Sequence, residues 1–221
     1  PPKSNANYAW ILHILSKLDV TTGIAGFLLA NGALNAAGIE GKIRQKLLEN
    51  DKVEAIIVLP RDMFYTTDIS VTLWIINNNK KAYSVNGRQL RDRQNEVLFM
   101  DLRRWNDHIE QYSVEKSTKK KNTVLTDEQI AKVKSTYQSW QEGDGYEDVP
   151  ELCKSATLED IRKANYSLAP SKYIEFIDHD LEIDYDKEMA RIQAEMKEVL
   201  NVEKASQVSL EEAFRGIGYE V

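Results

Sequence analysis

The sequence predicts an α/β fold, an open sheet carrying helices and followed by a helical C-terminal region. Three observations predict it. Short apolar runs of strand length alternate with amphipathic helical stretches over residues 5–100. The runs are nearly continuous rather than alternating, as in strands covered on both faces. Beyond residue 101 the pattern turns helical.

The first helix spans Asn5 to Leu18, with Tyr8, Ile11, Leu12, Ile14, Leu15 and Leu18 largely on one face and Ser4 or Asn5 as its cap. Thr21-Thr22-Gly23 breaks it. Ile24 to Ala30 reads as a strand buried on both faces, its small residues Ala25 and Gly26 admitting close neighbours, and Asn31-Gly32 ends it. A helix over 38–50 puts Ile39, Ile43 and Leu47 on one stripe. Val53 to Leu59 is a second buried strand, stopped by Pro60, and Ile69 to Ile76 is a third. This order suggests a largely parallel sheet. The loop from Pro60 to Asp68 is too short for a parallel crossover, which needs a dozen residues or more, so the second and third strands are expected to be antiparallel.

After Asn77-Asn78-Asn79 comes a polar stretch, then a short strand over 96–100. Thr126-Asp127-Glu128-Gln129 is a capping box ahead of Ile130, Val133, Tyr137 and Trp140, and Gly143 lies in the segment that stops this helix. Thr157 to Asp160 opens a shorter helix, and Pro170 closes the region. Three segments follow: 1–101 with the sheet, 102–177 as a helical and irregular continuation, and 178–221 as an acidic helical tail. In the tail, Tyr185, Met189, Ile192, Met196 and Val199 form a heptad seam over two heptads, which has to dock on something to be stable. Ser209-Leu210-Glu211-Glu212 reads as the start of a further helix, with Gly216 at its end.

Composition bounds the function. The chain has 221 residues, 42% hydrophobic and 29% charged, as in ordinary globular domains. No apolar run approaches the ~18 residues of a transmembrane helix. The single cysteine, Cys153, excludes a disulfide scaffold and a multi-cysteine zinc site. With no secretory leader in view, a reducing, cytoplasmic setting is expected. The chain opens Pro1-Pro2-Lys3 without a methionine, and a piece of a longer protein is expected.

The net charge of −6 is unevenly laid out: residues 80–121 hold eleven basic and six acidic side chains, and residues 178–221 hold five and twelve. A basic stretch inside an acidic chain is either a polyanion footprint or a solvated lysine-rich loop over 116–121. Most catalytic constellations are missing. His13, His108 and His179 are scattered, and there is no glycine-rich phosphate loop, serine elbow or metal set. Cys153 reads as structural. Two strand exits remain, 29–32 and 59–68, at the edge where open α/β sheets bind ligands. There Phe64 and Tyr65 either form a stacking platform for a base or plug the top of the sheet.

The order of motifs resembles one family. Asn5-Ala6-Asn7-Tyr8-Ala9-Trp10 is followed by Gly26-Phe27-Leu28-Leu29-Ala30-Asn31-Gly32, then Leu59-Pro60 with Phe64-Tyr65-Thr66-Thr67 and Leu73-Trp74. Further on come Val97 to Asp101, Tyr146 to Pro150, Cys153 to Thr157, Tyr166 to Tyr173 and Gly216 to Tyr219. Together these resemble the modification subunit of type I restriction–modification systems, nearly end to end. The resemblance implies N6 methylation of adenine in DNA, with S-adenosylmethionine as donor. It also implies a truncation: the family's donor-binding glycine motif and its Asn/Asp-Pro-Pro-Tyr/Phe motif are expected upstream, and Pro1-Pro2 is not that motif. The chain would then be the C-terminal half of a Rossmann-like class I methyltransferase sheet followed by the helical region. It would hold no catalytic residue, bind the donor poorly and be inactive alone.

On this reading Phe64 or Tyr65 stacks on a flipped adenine, with Thr66 and Asn31 lining the same mouth. Arg88, Arg91, Arg93, Lys119, Lys120 and Lys121 contact the DNA backbone. The Tyr185–Val199 seam docks on the specificity subunit, which selects the DNA sequence; the restriction subunit and a second modification subunit are the other implied partners. A competing reading is a non-catalytic α/β module that serves assembly alone. An upstream donor motif in the native reading frame would separate the two.

Overall fold

The computed structural model describes residues 1–3, 5–64, 67–105, 109–113, 119–177, 184–216 and 218–219, with backbone alone at 109–113 and 119–122. In chain order the elements are α1 (Asn7–Lys17), β1 (Ile24–Ala30), α2 (Gly38–Glu49), β2 (Val53–Val58), β3 (Val71–Asn77), β4 (Tyr83–Val85), β5 (Arg88–Leu90), β6 (Glu96–Asp101), β7 (Ile109–Ser113), β8 (Lys119–Thr123), α3 (Asp127–Glu142), β9 (Cys153–Thr157), α4 (Leu158–Lys163) and α5 (Tyr185–Gly216). A turn of 3-10 helix, Asn31–Leu34, follows β1 directly.

Five strands form one sheet in the order β1-β3-β2-β6-β9, and β4-β5 and β7-β8 are separate hairpins. The expected antiparallel pairing of β2 with β3 is present. The expectation of a largely parallel sheet is corrected, because β2 and β6 are its parallel pair and β1/β3, β2/β3 and β6/β9 are all antiparallel. The short connection between β2 and β3 allows no helical crossover.

Helices lie on both faces. On one, Tyr8 and Ile11 of α1, Leu47 and Leu48 of α2 and Ile161 of α4 pack on Ile56, Val58, Trp74 and Phe99. On the other, Trp140 of α3 packs on Ala55, Ile57, Leu98 and Met100. All six residues of β2 are buried, as its continuous apolar run predicts. β1 carries the same kind of run but is not buried on both faces. It is an edge strand, with Ile24 51% and Leu28 45% exposed. Among the described residues, the buried cluster under α3 draws on β2, β6 and β9 and stops short of β1.

The capping box of α3 forms as read. Thr126 Oγ1 accepts from Gln129 N (3.2 Å), and Gln129 Oε1 accepts from Thr126 N (2.9 Å). At its other end Gly143 takes the left-handed conformation that glycine adopts freely (φ 77°). Thr157 and Asp160 close the same motif at the start of α4. α1 begins later than read, and Asn5 Oδ1 accepts from Asn7 N at 3.0 Å.

The chain divides into two units, Pro1–Phe176 and Ile177–Val221. The second unit is built on α5, one helix of 32 residues. No new helix starts at Ser209, which lies inside α5, because nothing ahead of it interrupts the backbone ladder. No helix among the described residues is long and apolar enough to cross a membrane.

Candidate functional site

The carboxyl ends of the parallel pair fix where a site can form. Val58 of β2 lies opposite Asp101 of β6 and Thr72 of β3, and Ala30 of β1 lies opposite Val71. Asn31, the 59–70 loop, Leu102 and the start of β3 therefore share one end of the sheet. Thr72 Oγ1 donates to Asn31 Oδ1 at 2.6 Å, joining the exit of β1 to the entry of β3. The loop is tied at its base, where Leu59 N donates to Val71 O (2.9 Å) and the Ser70 hydroxyl donates to Leu59 O. Inside it, Thr67 N donates to Phe64 O (3.3 Å), and Asp62 stands at φ 60°. Phe64 is half-buried. Tyr65 and Thr66 lie outside the described residues.

The same end roots the β7–β8 hairpin. Leu102 N donates to Val58 O, Trp105 N to Leu102 O and Thr123 N to Asp62 O, each at 2.9 Å. Lys119, Lys120 and Lys121 thus sit on a strand anchored to the 59–70 loop, their backbones opposite Ser113, Tyr112 and Gln111. Two further arginines stand at the exit of β6. Arg103 is gripped by both carboxylate oxygens of Asp101, and Arg104 pairs with Glu151 and lies over the Phe176 ring at 5.9 Å. Asp101 raises the pKa of Arg103, which stays charged while 47% exposed. The signal that could have found this pair is position: the two arginines directly follow the exit of an apolar strand.

The arginines expected to meet DNA are elsewhere. Arg88, Arg91 and Arg93 belong to the β4–β5 hairpin and the turn after it, which pack on the C-terminal part of α3 and the start of β6. That is the opposite end of the sheet. Arg93 is a correction: its side chain is wholly buried, 3.6 Å from the equally buried Glu54, and no phosphate can reach it. Arg91 grips Glu96 and stacks on Trp140; burial works to raise the Glu96 pKa, but this guanidinium outweighs it and holds the carboxyl below its usual range. Arg88 pairs with Glu142 and Gln141.

Glu54 is the centre of this network, and sequence reasoning passed over it. A register shift between Val53 and Ala55 turns it toward α3. There it accepts from Tyr137 Oη and Gln141 Nε2, both at 2.9 Å, and from Asn77 Nδ2. Burial, reinforced by the Glu54 carboxylate, pushes the Tyr137 phenol well up. Beside it Lys80 is buried and donates to Asp51, Val53 O and Glu96 O; burial lowers its pKa and Asp51 opposes that. The signal was present: one glutamate inside the apolar run of β2, and a Tyr and a Gln four apart on α3.

On α5 no residue is buried. Tyr185 is 72% exposed, Met196 62% and Val199 65%; Ile192 is exposed and Met189 half-buried. Among the described residues no group of three or more His, Cys, Asp or Glu side chains could hold a metal ion. His13 is exposed beside Trp10, Cys153 is buried, and His108 and His179 lie outside the described residues.

A family model for N-6 DNA methylases matches residues 1–181. The chain belongs to the N-6 DNA methylase family. It is 34% identical to the type I restriction enzyme HindI methylase subunit of Haemophilus influenzae, over 100% of this chain and 45% of that protein. It is 31% identical to the MjaIX methylase subunit of Methanocaldococcus jannaschii, over 99% of this chain and 36% of that one. The chain thus spans less than half the length of these relatives. A solved structure of the type I restriction–modification methyltransferase subunit from Streptococcus thermophilus superposes with a TM-score of 0.63 at 26% identity, over 80% of this chain and 32% of that one. The EcoKI M protein, at 18% identity, shares the fold with a TM-score of 0.56. The α/β sheet described above is thus part of the Rossmann-like sheet of this family.

Methylases of this family imply a sulfonium methyl donor, and the residues present do not fit one. A donor of this kind is held where backbone approaches closely at a parallel strand exit, which glycine permits. The exits of β2 and β6 run into Leu59-Pro60 and Leu102-Arg103, with no glycine at either. No Asn-Pro-Pro or Asp-Pro-Pro sequence occurs in the chain.

Proposed function

We propose that this chain is the C-terminal part of the adenine-specific DNA N6-methyltransferase subunit of a type I restriction–modification system, acting on DNA in the cytoplasm. The observation that carries the reading is the juxtaposition at one sheet end of Asn31, the Phe64-bearing loop and the root of the lysine hairpin. Adenine N6 is out of reach inside a duplex, so the base has to leave the stack and be received on a flat apolar surface. Phe64 or Tyr65 supplies that surface, with Thr66 and Asn31 beside it. Base–aromatic stacking contributes about 1–3 kcal/mol per base. Lys119, Lys120 and Lys121 contact phosphates without reading sequence. Arg88 and Arg91 are left out of that role because each is already gripped by a carboxylate at the far end.

S-adenosylmethionine supplies the methyl group when bound to the rest of such a subunit, and no step of the transfer falls to residues of this chain. The 221-residue chain alone is therefore inactive. The exposed seam of α5 supports docking on a helical partner, the specificity subunit. The restriction subunit and a second modification subunit complete the assembly.

The test uses the complete subunit assembled with its specificity partner, with flipping read on duplex DNA carrying 2-aminopurine in place of the target adenine and methylation read on the same duplex with adenine there. The Phe64→Ala/Tyr65→Ala variant should lose the fluorescence change of base flipping and most methylation; unaltered flipping and methylation would remove the stacking role. Removing residues 178–221 should abolish co-purification of the specificity partner, and retained assembly would refute the docking role.

A further inference from the structure

Thr72 poses a problem of economy. It is wholly buried in β3, opposite Leu29 on one side and Val58 on the other. Valine would fill that position with no polar atom to satisfy, and a buried hydroxyl is unfavourable unless hydrogen-bonded. The hydroxyl donates to Asn31 Oδ1 at 2.6 Å. That bond occupies the oxygen of the Asn31 amide and fixes the plane of the group. It leaves Nδ2, on a half-buried side chain at the mouth, with no hydrogen-bond partner among the described residues. A strand-end staple needs no such unpaired donor.

We infer that Thr72 is a positioning residue, which aims the Asn31 amide so that its N–H bonds donate to an acceptor ring nitrogen of the flipped purine. This rests on the function proposed above and assigns Asn31 a chemical role within it. An adenine outside the stack carries acceptor nitrogens at N1, N3 and N7 and no donor besides its amino group. A fixed amide N–H therefore recognises the ring without competing for the amino group that is to be methylated.

Asp in place of Asn31 separates this from a structural role. Asn31→Asp keeps the oxygen that accepts from Thr72 but points a second oxygen at the base. Asn31→Ala loses both. If Asn31 only staples the strand end, the aspartate variant outperforms the alanine one. If it donates to the base, the order reverses.

The measurement is steady-state methylation by the complete subunit with its specificity partner. Asn31→Ala should lower kcat/KM roughly tenfold, the worth of one good hydrogen bond, and Asn31→Asp should fall further. Binding of DNA abasic at the target should be unchanged in both. Thr72→Val should reproduce the alanine loss and Thr72→Ser should restore activity. With 1-deaza-, 3-deaza- or 7-deazaadenine at the target, one of the three analogues should abolish the difference between the parent enzyme and Asn31→Ala. An aspartate variant as active as the alanine one or better, an inert Thr72→Val, or an equal alanine loss on all three analogues would overturn the inference while leaving the methylase reading intact. Absence of adenine methylation by the unaltered complex would sink both.

Discussion

Replacing Arg93 by methionine tests the reassignment of the basic stretch. Arg93 and Glu54 are both fully buried, 3.6 Å apart. Removing one partner of such a pair strands the other charge in a medium that cannot solvate it, at a cost of about 3–5 kcal/mol. Three neutral donors, Tyr137, Gln141 and Asn77, still face the stranded carboxylate, which argues for the lower end. At about 2–4 °C per kcal/mol for a domain of this size, a loss near 3 kcal/mol lowers the melting temperature by roughly 6–12 °C. Circular dichroism melts and urea titrations of the chain measure it. Combining Glu54→Gln with Arg93→Met removes both charges, keeps an acceptor for Tyr137 and Gln141, and should recover most of the loss. A cation on the surface for DNA would behave otherwise, changing stability by about 0.5 kcal/mol or less. A loss under about 1 kcal/mol for Arg93→Met would refute the burial argument.

Neutralising Lys119, Lys120 and Lys121 together should reduce the slope of log binding constant against log salt by up to about 2.7, at ~0.9 per phosphate released, in fluorescence anisotropy titrations of the complete complex. An unaltered slope rejects their phosphate contacts. Gly143→Ala places a side chain at φ 77° with its Cβ 2.9 Å from Arg91 Cδ; a destabilisation of about 1–2 kcal/mol is expected by urea titration, and a neutral outcome counts against the tight seat of Arg91. Hydrogen bonds from Arg162, then Tyr166, hold the Glu49 carboxyl down to about 2 from a usual 4.5. A depressed carboxyl stabilises the fold above its unfolded pKa and loses that contribution as pH falls toward the folded one, here between about 4.5 and about 2. Arg162→Leu should therefore move the acid-unfolding midpoint to higher pH, and an unmoved midpoint would contradict the pairing.

Several elements were legible because a local signal and the tertiary demand agree. β2 is apolar at nearly every position and is central; the capping boxes at Thr126 and Thr157 form as written. Others were illegible for identifiable reasons. β9 reads Cys-Lys-Ser-Ala-Thr, with Cys153 and Ala156 as its buried residues, too few to stand out as an apolar run. The β4–β5 hairpin has strands of three residues, and its signal was the Asn86-Gly87 turn, with φ of 50° and 79°. β1 misled in the other direction. Its continuous apolar run describes what the strand could bury, whereas burial depends on what covers it, and the two differ at a sheet edge.

Charge counting failed at the site for a deeper reason. Arg88, Arg91 and Arg93 lie within about thirty residues of Lys119–Lys121 and share their sign, so any window that sums charge merges them. The fold sends the arginines to the amino end of β6 and the lysine hairpin to its carboxyl end. A cation that serves the interior needs a carboxylate held nearby. Glu54, Glu96 and Glu142, the partners of these arginines, lie up to 54 positions away in sequence. A cation that serves a polyanion needs the reverse, an approach free of carboxylates. The two classes are distinguished by long-range pairing and not by composition, which is why a charge sum over the basic stretch could not set the buried Arg93 apart from the lysines.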